Sequence, residues 1–261
     1  MRVFVGTSGF SYGAWKGKFY PAELPAKKML AFYASRFRAV EINNTFYRMP
    51  KREMLAKWGA QVPDGFTFVL KAWQRITHQK RLKDASEETR TFFDTASALG
   101  EKLGPALFQL PPFLRADVPR LRDFLATLPA GARVACEFRH ASWFCDETYD
   151  ALRAAGAALC IAEDEKLATP LVATAPWGTL RLRRPDYDDA ALAAWADRVR
   201  AQHWSDAFVF FKHEDEAKGP ALAERFALML GGKQPDGARV IKRGTPAGSR
   251  AWSRSRGRET R

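Results

Sequence analysis

The sequence predicts an α/β protein: a single (β/α)8 TIM-like barrel over residues 1–230, followed by a disordered basic tail over residues 231–261. Short runs rich in Val, Ile, Leu, Phe and Ala alternate with longer helical segments, and eight such strand-like runs occur. This alternation is typical of parallel strands joined by helices. A doubly wound open sheet is the alternative, but the first strand is followed by GTSGFSYG rather than by the glycine-rich dinucleotide fingerprint.

The predicted strands are apolar runs bounded by polar or turn residues. They cover residues 3–8, 40–43, 67–72, 106–110, 133–138, 158–162, 179–183 and 207–212. The segments between and after them predict helices over residues 26–36, 51–60, 86–101, 118–127, 146–155, 189–201 and 219–230. Helical spacing of apolar residues is clearest in two stripes, which are Met29, Leu30, Phe32, Tyr33 and Phe37, and Leu192, Trp195 and Val199.

Composition narrows the class of protein. Of the 261 residues, 46% are apolar and 27% are charged, which is typical of a globular protein and too hydrophobic for a disordered one. No apolar run is long enough to span a membrane, and residues 1–10 lack the features of a signal peptide. The three cysteines show no CxxC spacing, so we expect a cytoplasmic protein without a zinc cluster.

Positive charge is concentrated at the end of the chain. The formal net charge is +13, and the nine Lys/Arg and two acids of residues 231–261 supply +7 of it. This segment cannot bury enough apolar surface to offset the entropy of ordering it. It is either a solvated extension without a dedicated partner or a nonspecific contact to RNA or DNA phosphates, with Trp252 available to stack on a base.

Polar side chains recur on one face of the predicted strands. Alternate strand residues point to opposite faces, and in a barrel one face meets the helices while the other fills the interior. The inward register turns polar toward the carboxyl end of six strands, at the end of the barrel that we call the mouth. TIM-barrel sites lie at this end. The inward polar residues are Glu41, Asn43, Lys71, Gln109, Glu137, Arg139, Arg181, Arg183 and Lys212.

The predicted mouth has an excess of positive charge, because five cations face three acids. The cations are Lys71, Arg139, Arg181, Arg183 and Lys212, and the acids are Glu41, Glu137 and Asp164. Buried charges are rare unless paired, so the excess favours an anionic ligand: a phosphate, a carboxylate or a nucleic-acid backbone. The alternative is a structural ion-pair network, such as Glu137 with Arg139 or Glu41 with Lys71.

Loops that follow the strands add further candidates. The loop containing Ser8 and Tyr12 either offers backbone N–H groups to an oxyanion or is a tight turn that needs glycine. His140 could pair with Glu137 or Asp164 as a general base. Three post-strand tryptophans could stack on a ligand, although packing at the rim is their more usual role. They are Trp15, Trp73 and Trp143.

No cofactor is predicted. A divalent metal would need ligands from a dispersed set, and neighbouring Arg and Lys side chains would compete for its carboxylates. That set is Glu41, Glu137, Asp164, His140 and His213. Glu41 and Glu137 could instead act as the paired carboxylates of a glycoside hydrolase.

Six long motifs occur in order between about residue 3 and residue 230. They read GTSGFSYGAWKGKFYP, VEINNTFYRMP, FTFVLKAWQRITH, LGPALFQLPPFL, ACEFRHASW and FVFFKHED. Together they resemble the YecE-like family (domain of unknown function 72), and the basic tail lies outside the resemblance. The resemblance implies a TIM-barrel fold and marks Gly6, Ser8, Tyr12, Trp15, Tyr20, Glu41, Asn43, Thr45, Phe46, Tyr47, Lys71, His78, Gln109, Glu137, Arg139, Trp143, Asp164 and Arg181.

These observations favour an enzyme that acts on a phosphate- or carboxylate-bearing substrate in the mouth by general acid/base chemistry. In this hypothesis the anion is clamped by Lys71, Arg139 and Arg181. The candidate acids and bases are Glu41, Glu137 and Asp164. The residues expected to orient or contact the substrate are Ser8, Tyr12, Trp15, Asn43, Tyr47, His78, Gln109, His140, Trp143, Arg183 and Lys212.

Two other functions stay open at this point. One is a nucleic-acid-binding protein without catalysis, which would use the mouth and the tail. The other is a metal-dependent phosphodiesterase, because the barrel of the YecE-like family has been likened to the endonuclease IV group. That group uses many His, Asp and Glu ligands, and this sequence has too few, so the likeness is one of fold. No membrane partner is expected.

Overall fold

Eight parallel strands form one sheet in the computed structural model, which describes residues 1–163, 165–213 and 215–231. The strands are β1 (Arg2–Thr7), β2 (Ala39–Ile42), β3 (Thr67–Lys71), β4 (Leu103–Gln109), β5 (Val134–Glu137), β6 (Ala158–Glu163), β7 (Gly178–Leu182) and β8 (Asp206–Phe211). Their order in the sheet is β1-β8-β7-β6-β5-β4-β3-β2, so neighbours in sequence are neighbours in space. This confirms the predicted TIM-like barrel.

In the described residues helices connect the strands, except between β6 and β7. They are α1 (Met29–Ala34), α2 (Asn44–Tyr47), α3 (Arg52–Gly59), α4 (Ser86–Ala96), α5 (Val118–Leu125), α6 (Asp146–Ala154), α7 (Asp189–Arg200) and α8 (Lys218–Met229). Short 3₁₀ helices cover Gly13–Trp15, Ala26–Lys28, Ser97–Lys102, Ala141–Trp143 and Asp215–Ala217, and a π-helix covers Arg75–Gln79. The seven predicted helices are confirmed, whereas the sequence pattern missed α2 and the π-helix because both are only one turn long.

All eight predicted strands are present, and β4 differs most from its prediction. It begins at Leu103, three residues before the predicted start at residue 106. Gly104 and Pro105 suggested a turn, since both residues are uncommon inside strands. A Cβ at Gly104 would lie 2.4 Å from Thr67 Cγ2, so glycine allows β4 to lie close against β3.

Two buried layers separate along the sheet as the side-chain alternation predicts. The outer layer packs against the helices and contains the apolar register of each strand, for example Val40, Phe68 and Leu180. The inner layer fills the barrel and consists of Ala39, Val69, Leu107, Ala135, Ala158, Cys160, Trp177, Phe208 and Phe210. Because this layer is apolar, the polar residues of the inward register are confined to the mouth above it.

The barrel closes at a seam between β1 and β2, where Tyr33 of α1 replaces ladder hydrogen bonds. The backbone N–H of Thr7 donates to the Tyr33 hydroxyl at 2.8 Å, and that hydroxyl donates to the carbonyl of Ala39 at 3.0 Å. Nearer the mouth, the N–H of Gly9 donates to the carbonyl of Glu41 at 2.7 Å. The seam therefore positions the loop after β1 directly beside the end of β2.

Some sequence predictions fall outside the described residues. Asp164 and all of the predicted basic tail except Gly231 belong to this group.

Cys136, Cys145 and Cys160 are free thiols. Within the described ranges, no helix has the length and apolar character that crossing a membrane requires.

Replacing Tyr33 by Phe should destabilise the protein by about 1–3 kcal/mol, because it leaves the Thr7 N–H and the Ala39 carbonyl buried without this partner. Chemical denaturation measures the change in the free energy of unfolding. Tyr47→Phe is the matched control, since Tyr47 is 68% exposed, and it should stay within about 0.5 kcal/mol of the wild type. Equal effects of the two substitutions would show that the seam does not depend on Tyr33.

Gly6→Ala should also weaken the seam. The new Cβ would lie 2.0 Å from the carbonyl oxygen of Ala39, so β1 and β2 would have to move apart. We expect a loss of roughly 1–3 kcal/mol, read from the same denaturation curves. Gly13→Ala adds the same methyl group where no atom lies within 4 Å, and it should leave stability nearly unchanged.

Candidate active site at the barrel mouth

A buried arginine joins two glutamates at the mouth. Arg181 of β7 places Nη2 2.7 Å from Oε1 of Glu41 on β2, and Nη1 2.5 Å from Oε2 of Glu137 on β5. The Ser8 hydroxyl also donates to Glu41 Oε1 at 2.7 Å, and Gln109 Nε2 donates to Glu137 Oε1 at 2.6 Å. All five side chains are buried, so they form a fixed network across the barrel.

Glu137 and Arg181 of this network are both charged at neutral pH. Burial raises the pKa of Glu137, but Arg181, Arg183, a hydrogen bond from Gln109 and Arg139 together lower it to about 2. Burial likewise disfavours the charge of Arg181, but the two carboxylates hold its pKa above the ordinary arginine value. Glu137 is therefore an anchor for positive charge rather than a general acid or base near pH 7.

Lys71 lies beside the network at the end of β3. Its Nζ is 4.0 Å from the centroid of the Phe46 ring, and it forms no salt bridge with any carboxylate of the described residues. Burial, followed by the positive charge of Arg181, lowers the pKa of Lys71 to about 8. The ammonium group of Lys71 thus gives up its proton more readily than that of a solvated lysine.

His78 approaches the same ring from the π-helix. Its ring centroid is 4.8 Å from that of Phe46, and its Nδ1 is 2.9 Å from the Thr77 hydroxyl. Burial and the charges of Lys71 and Arg139 lower the pKa of His78 below its ordinary value. A one-turn π-helix is frequent at functional sites, and here it directs the imidazole toward the cations of the mouth.

Other cations surround the network. Arg183 Nη1 is 3.4 Å and Arg139 Nε is 3.7 Å from Glu137 Oε1. The positive charge of Lys212 contributes to the lowered pKa of Lys71. In the described residues the mouth therefore holds the five predicted cations against two of the three predicted acids, since Asp164 lies outside them. The ion pair predicted between Glu137 and Arg139 is present, and Glu41 pairs with Arg181 instead of Lys71.

Two predicted contact residues lie in the core instead. Trp15 and Trp143 are each 1% exposed. Trp143 stacks on Phe138 with ring centroids 4.6 Å apart, and its Nε1 donates to the Leu114 carbonyl at 2.8 Å. The ring of Trp15 is 4.8 Å from that of Tyr12. Both tryptophans pack beneath the loops of the mouth, which is the role that the sequence analysis named as more usual.

His140 and Tyr47, two further predicted residues, make contacts outside the charged network. His140 Nδ1 accepts a hydrogen bond from the Ser142 N–H at 3.2 Å, so it caps the 3₁₀ helix that follows β5. Tyr47 is exposed and packs edge-on against Phe46. Phe46 and Thr77 are the contributors that the predicted site omitted. Single-sequence patterns give no signal for Thr77, whereas the family motifs mark Phe46.

No metal-binding residues are assigned to the mouth. In residues 1–163, 165–213 and 215–231, no group of three or more His, Cys, Asp or Glu side chains could hold a metal ion. The carboxylates of Glu41 and Glu137 are each engaged by Arg181.

Comparison with known protein families gives a match over most of the chain. Residues 4–246 match the family described as "Protein of unknown function DUF72". Residues 231–246 therefore lie inside the match, which corrects the expectation for this part of the tail, whereas residues 247–261 lie outside it.

Similar proteins carry related names. The UPF0759 protein YecE of Escherichia coli strain K12 is 34% identical over 113 residues, which are 43% of this chain and 42% of the relative. The UPF0759 protein YunF of Bacillus subtilis strain 168 is 28% identical over 160 residues, which are 57% of this chain and 54% of the relative. The matches therefore span about half the length of these relatives.

Solved structures show the same fold. A DUF72 family protein from Thermotoga maritima superposes with a TM-score of 0.79 at 27% identity, covering 88% of this chain and 100% of that chain. A DUF72 family protein from Enterococcus faecalis gives a TM-score of 0.75 at 20% identity over 88% of this chain and 95% of that chain.

The depressed pKa of Glu137 predicts a specific acid sensitivity. A carboxyl whose folded-state pKa is about 2, against an ordinary 4.5, stabilises the fold above pH 4.5, and this contribution is lost as the pH falls toward 2. Glu137→Gln should lower stability at pH 7 by about 3 kcal/mol, and its free energy of unfolding should fall less steeply between pH 5 and about 2. Denaturation at stepped pH measures both effects. Glu101→Gln, at an exposed position, should stay within about 0.5 kcal/mol of the wild type at pH 7.

Proposed function

The chain belongs to the DUF72 family of proteins of unknown function, and we propose that it is an enzyme whose substrate carries a phosphate or carboxylate group that binds at the barrel mouth. The observation that carries this proposal is that Lys71 and His78 lie against the same ring, that of Phe46. Both side chains have lowered pKa values, and both contact the Phe46 ring beside the buried Arg181 network. Adjacent titratable groups with shifted pKa values are typical of acid/base sites.

The excess of cations supports an anionic substrate. Both Nη atoms of Arg181 are paired with Glu41 and Glu137. In the proposed site Arg181 therefore adds positive charge beneath the substrate and does not itself bind the anionic group. Lys71 and Arg139 are more exposed than Arg181, and the charges of both lower the pKa of His78. In the proposed site they contact the anionic group of the substrate, with hydrogen bonds strengthened by charge.

Lys71 and His78 divide the proton transfers in this proposal. At pH 7 Lys71 is mostly protonated and acts as the general acid, donating from Nζ to an oxygen on which negative charge develops. His78 is mostly neutral and acts as the general base. In this proposal Nδ1 carries the ring hydrogen and donates it to the Thr77 hydroxyl oxygen, so Nε2 is the atom that accepts a proton from the substrate. The substrate thus loses one proton and gains one.

The other candidate functions gain no support from the described residues. Nucleic-acid binding through the basic tail depends on residues 232–261, which the structure does not describe. A phosphodiesterase of the endonuclease IV type depends on metal ligands, and no such cluster is found in the described part of the chain. The anion-binding enzyme is therefore the function that we carry forward.

Sulfate binding tests the mouth without knowledge of the substrate, because the charge of sulfate is constant across neutral and alkaline pH. We expect isothermal titration calorimetry at pH 7 to detect binding, and Lys71→Met to weaken it roughly tenfold or more, the value of one charge-assisted hydrogen bond. Wild-type affinity should fall between pH 7 and pH 9 as the Lys71 ammonium loses its proton, whereas the variant should lack this dependence.

Lys57→Met serves as the matched control, since Lys57 is an exposed lysine on α3. It should bind sulfate like the wild type. If sulfate does not bind, or if Lys71→Met binds it as well as Lys57→Met does, the mouth is not the proposed anion site.

A further inference from the structure

A second cavity opens beside the loop after β1 and the end of β2, and α1 and α3 with their adjoining turns supply the rest of its lining. Its volume is about 410 Å³, within the range of about 300–1,000 Å³ that is usual for small-molecule sites. The lining residues that matter for its chemistry are Phe10, Lys27, Asn43, Asn44, Trp58 and Gln61. Its chemistry differs from that of the mouth, because its lining contains no carboxylate and one cation.

Aromatic and amide side chains divide the lining of this cavity. Phe10 and Trp58 meet edge-to-face with ring centroids 6.3 Å apart, and both are only partly buried. Asn43, Asn44 and Gln61 add three amide groups that can both donate and accept hydrogen bonds. A planar, uncharged ring with polar edges satisfies both kinds of side chain.

The cavity and the mouth share a wall. The Tyr12 hydroxyl donates to the Ser8 carbonyl at 2.8 Å, and the Ser8 hydroxyl donates to Glu41 of the charged network. On the other side, Asn43 lies two residues after Glu41 on the chain. A ligand seated in the cavity can therefore extend an anionic group over this wall toward Lys71.

We propose that this cavity holds the base of a nucleotide whose phosphate lies on the cations of the mouth. The inference rests on the proposed function and names its substrate class. Asn and Gln side chains pair well with the hydrogen-bonding edges of bases, and aromatic rings stack on their faces. The absence of carboxylates from the lining suits a ligand that carries negative charge.

Calorimetry with AMP, GMP, CMP, UMP and ribose 5-phosphate separates the two parts of the site. Ribose 5-phosphate reports the mouth without the base. We expect at least one nucleotide to bind roughly tenfold more tightly than ribose 5-phosphate, in line with the stacking of one base. Gln61→Ala should reduce this advantage several-fold while leaving the affinity for ribose 5-phosphate unchanged, because Gln61 lines the cavity and is not part of the mouth.

Gln202→Ala is a close control for Gln61→Ala. Each glutamine donates from Nε2 to the carbonyl four residues earlier, Gln61 to Lys57 at 3.0 Å and Gln202 to Arg198 at 3.2 Å. The two substitutions thus remove the same local hydrogen bond, but Gln202 is not part of the cavity lining. Gln202→Ala should retain the full preference for the nucleotide.

The outcomes distinguish this inference from the proposed function. If ribose 5-phosphate binds and no nucleotide binds more tightly, the cavity does not hold a base, while the anion site stands. If neither ribose 5-phosphate nor any nucleotide binds, both proposals fail. If a nucleotide does bind, a five-nucleotide single strand is tested on the wild type and on Gln61→Ala. Tighter binding of the strand than of the free nucleotide, lost in Gln61→Ala, would show that the bound base belongs to a single strand and would overturn the assignment to a free nucleotide.

Discussion

The guanidinium of Arg181 is the interaction on which the mouth depends. A buried arginine is stable only with partners, and Arg181 finds them on two strands, Glu41 on β2 and Glu137 on β5. Three strands that are distant in sequence are thereby held in one arrangement at their carboxyl ends. Burial lowers the pKa of Lys71, and the positive charge of Arg181 lowers it further, so one structural interaction also adjusts the chemistry of its neighbour.

The seam between β1 and β2 links this network to the rest of the fold. Tyr33 supplies the hydrogen bonds where the two strands lack a ladder, and Gly9 and Ser8 continue the contact to Glu41. The loop after β1 is consequently fixed against the end of β2, and both contribute to the lining of the second cavity. Closure of the barrel and construction of the site use the same residues.

The charges at the mouth have two different roles. Glu137 and Arg181 neutralise each other in part and stay ionised, so they suit a fixed floor better than proton transfer. Lys71 and His78 carry shifted pKa values in the opposite sense, toward their neutral forms. This division of roles is the basis of the acid/base chemistry that we propose for the mouth.

The sequence by itself determined the eight strands and which of their polar residues face the barrel interior. Both are local properties, because successive side chains of a strand point to opposite faces. Tertiary structure decided the partners and the depth of each side chain. It paired Glu41 with Arg181 rather than Lys71, buried Trp15 and Trp143, and placed His78 on a π-helix. Strand alternation predicts which face a residue occupies. It does not predict that Arg181 lies within hydrogen-bonding distance of Glu41, which is 140 residues away in the sequence.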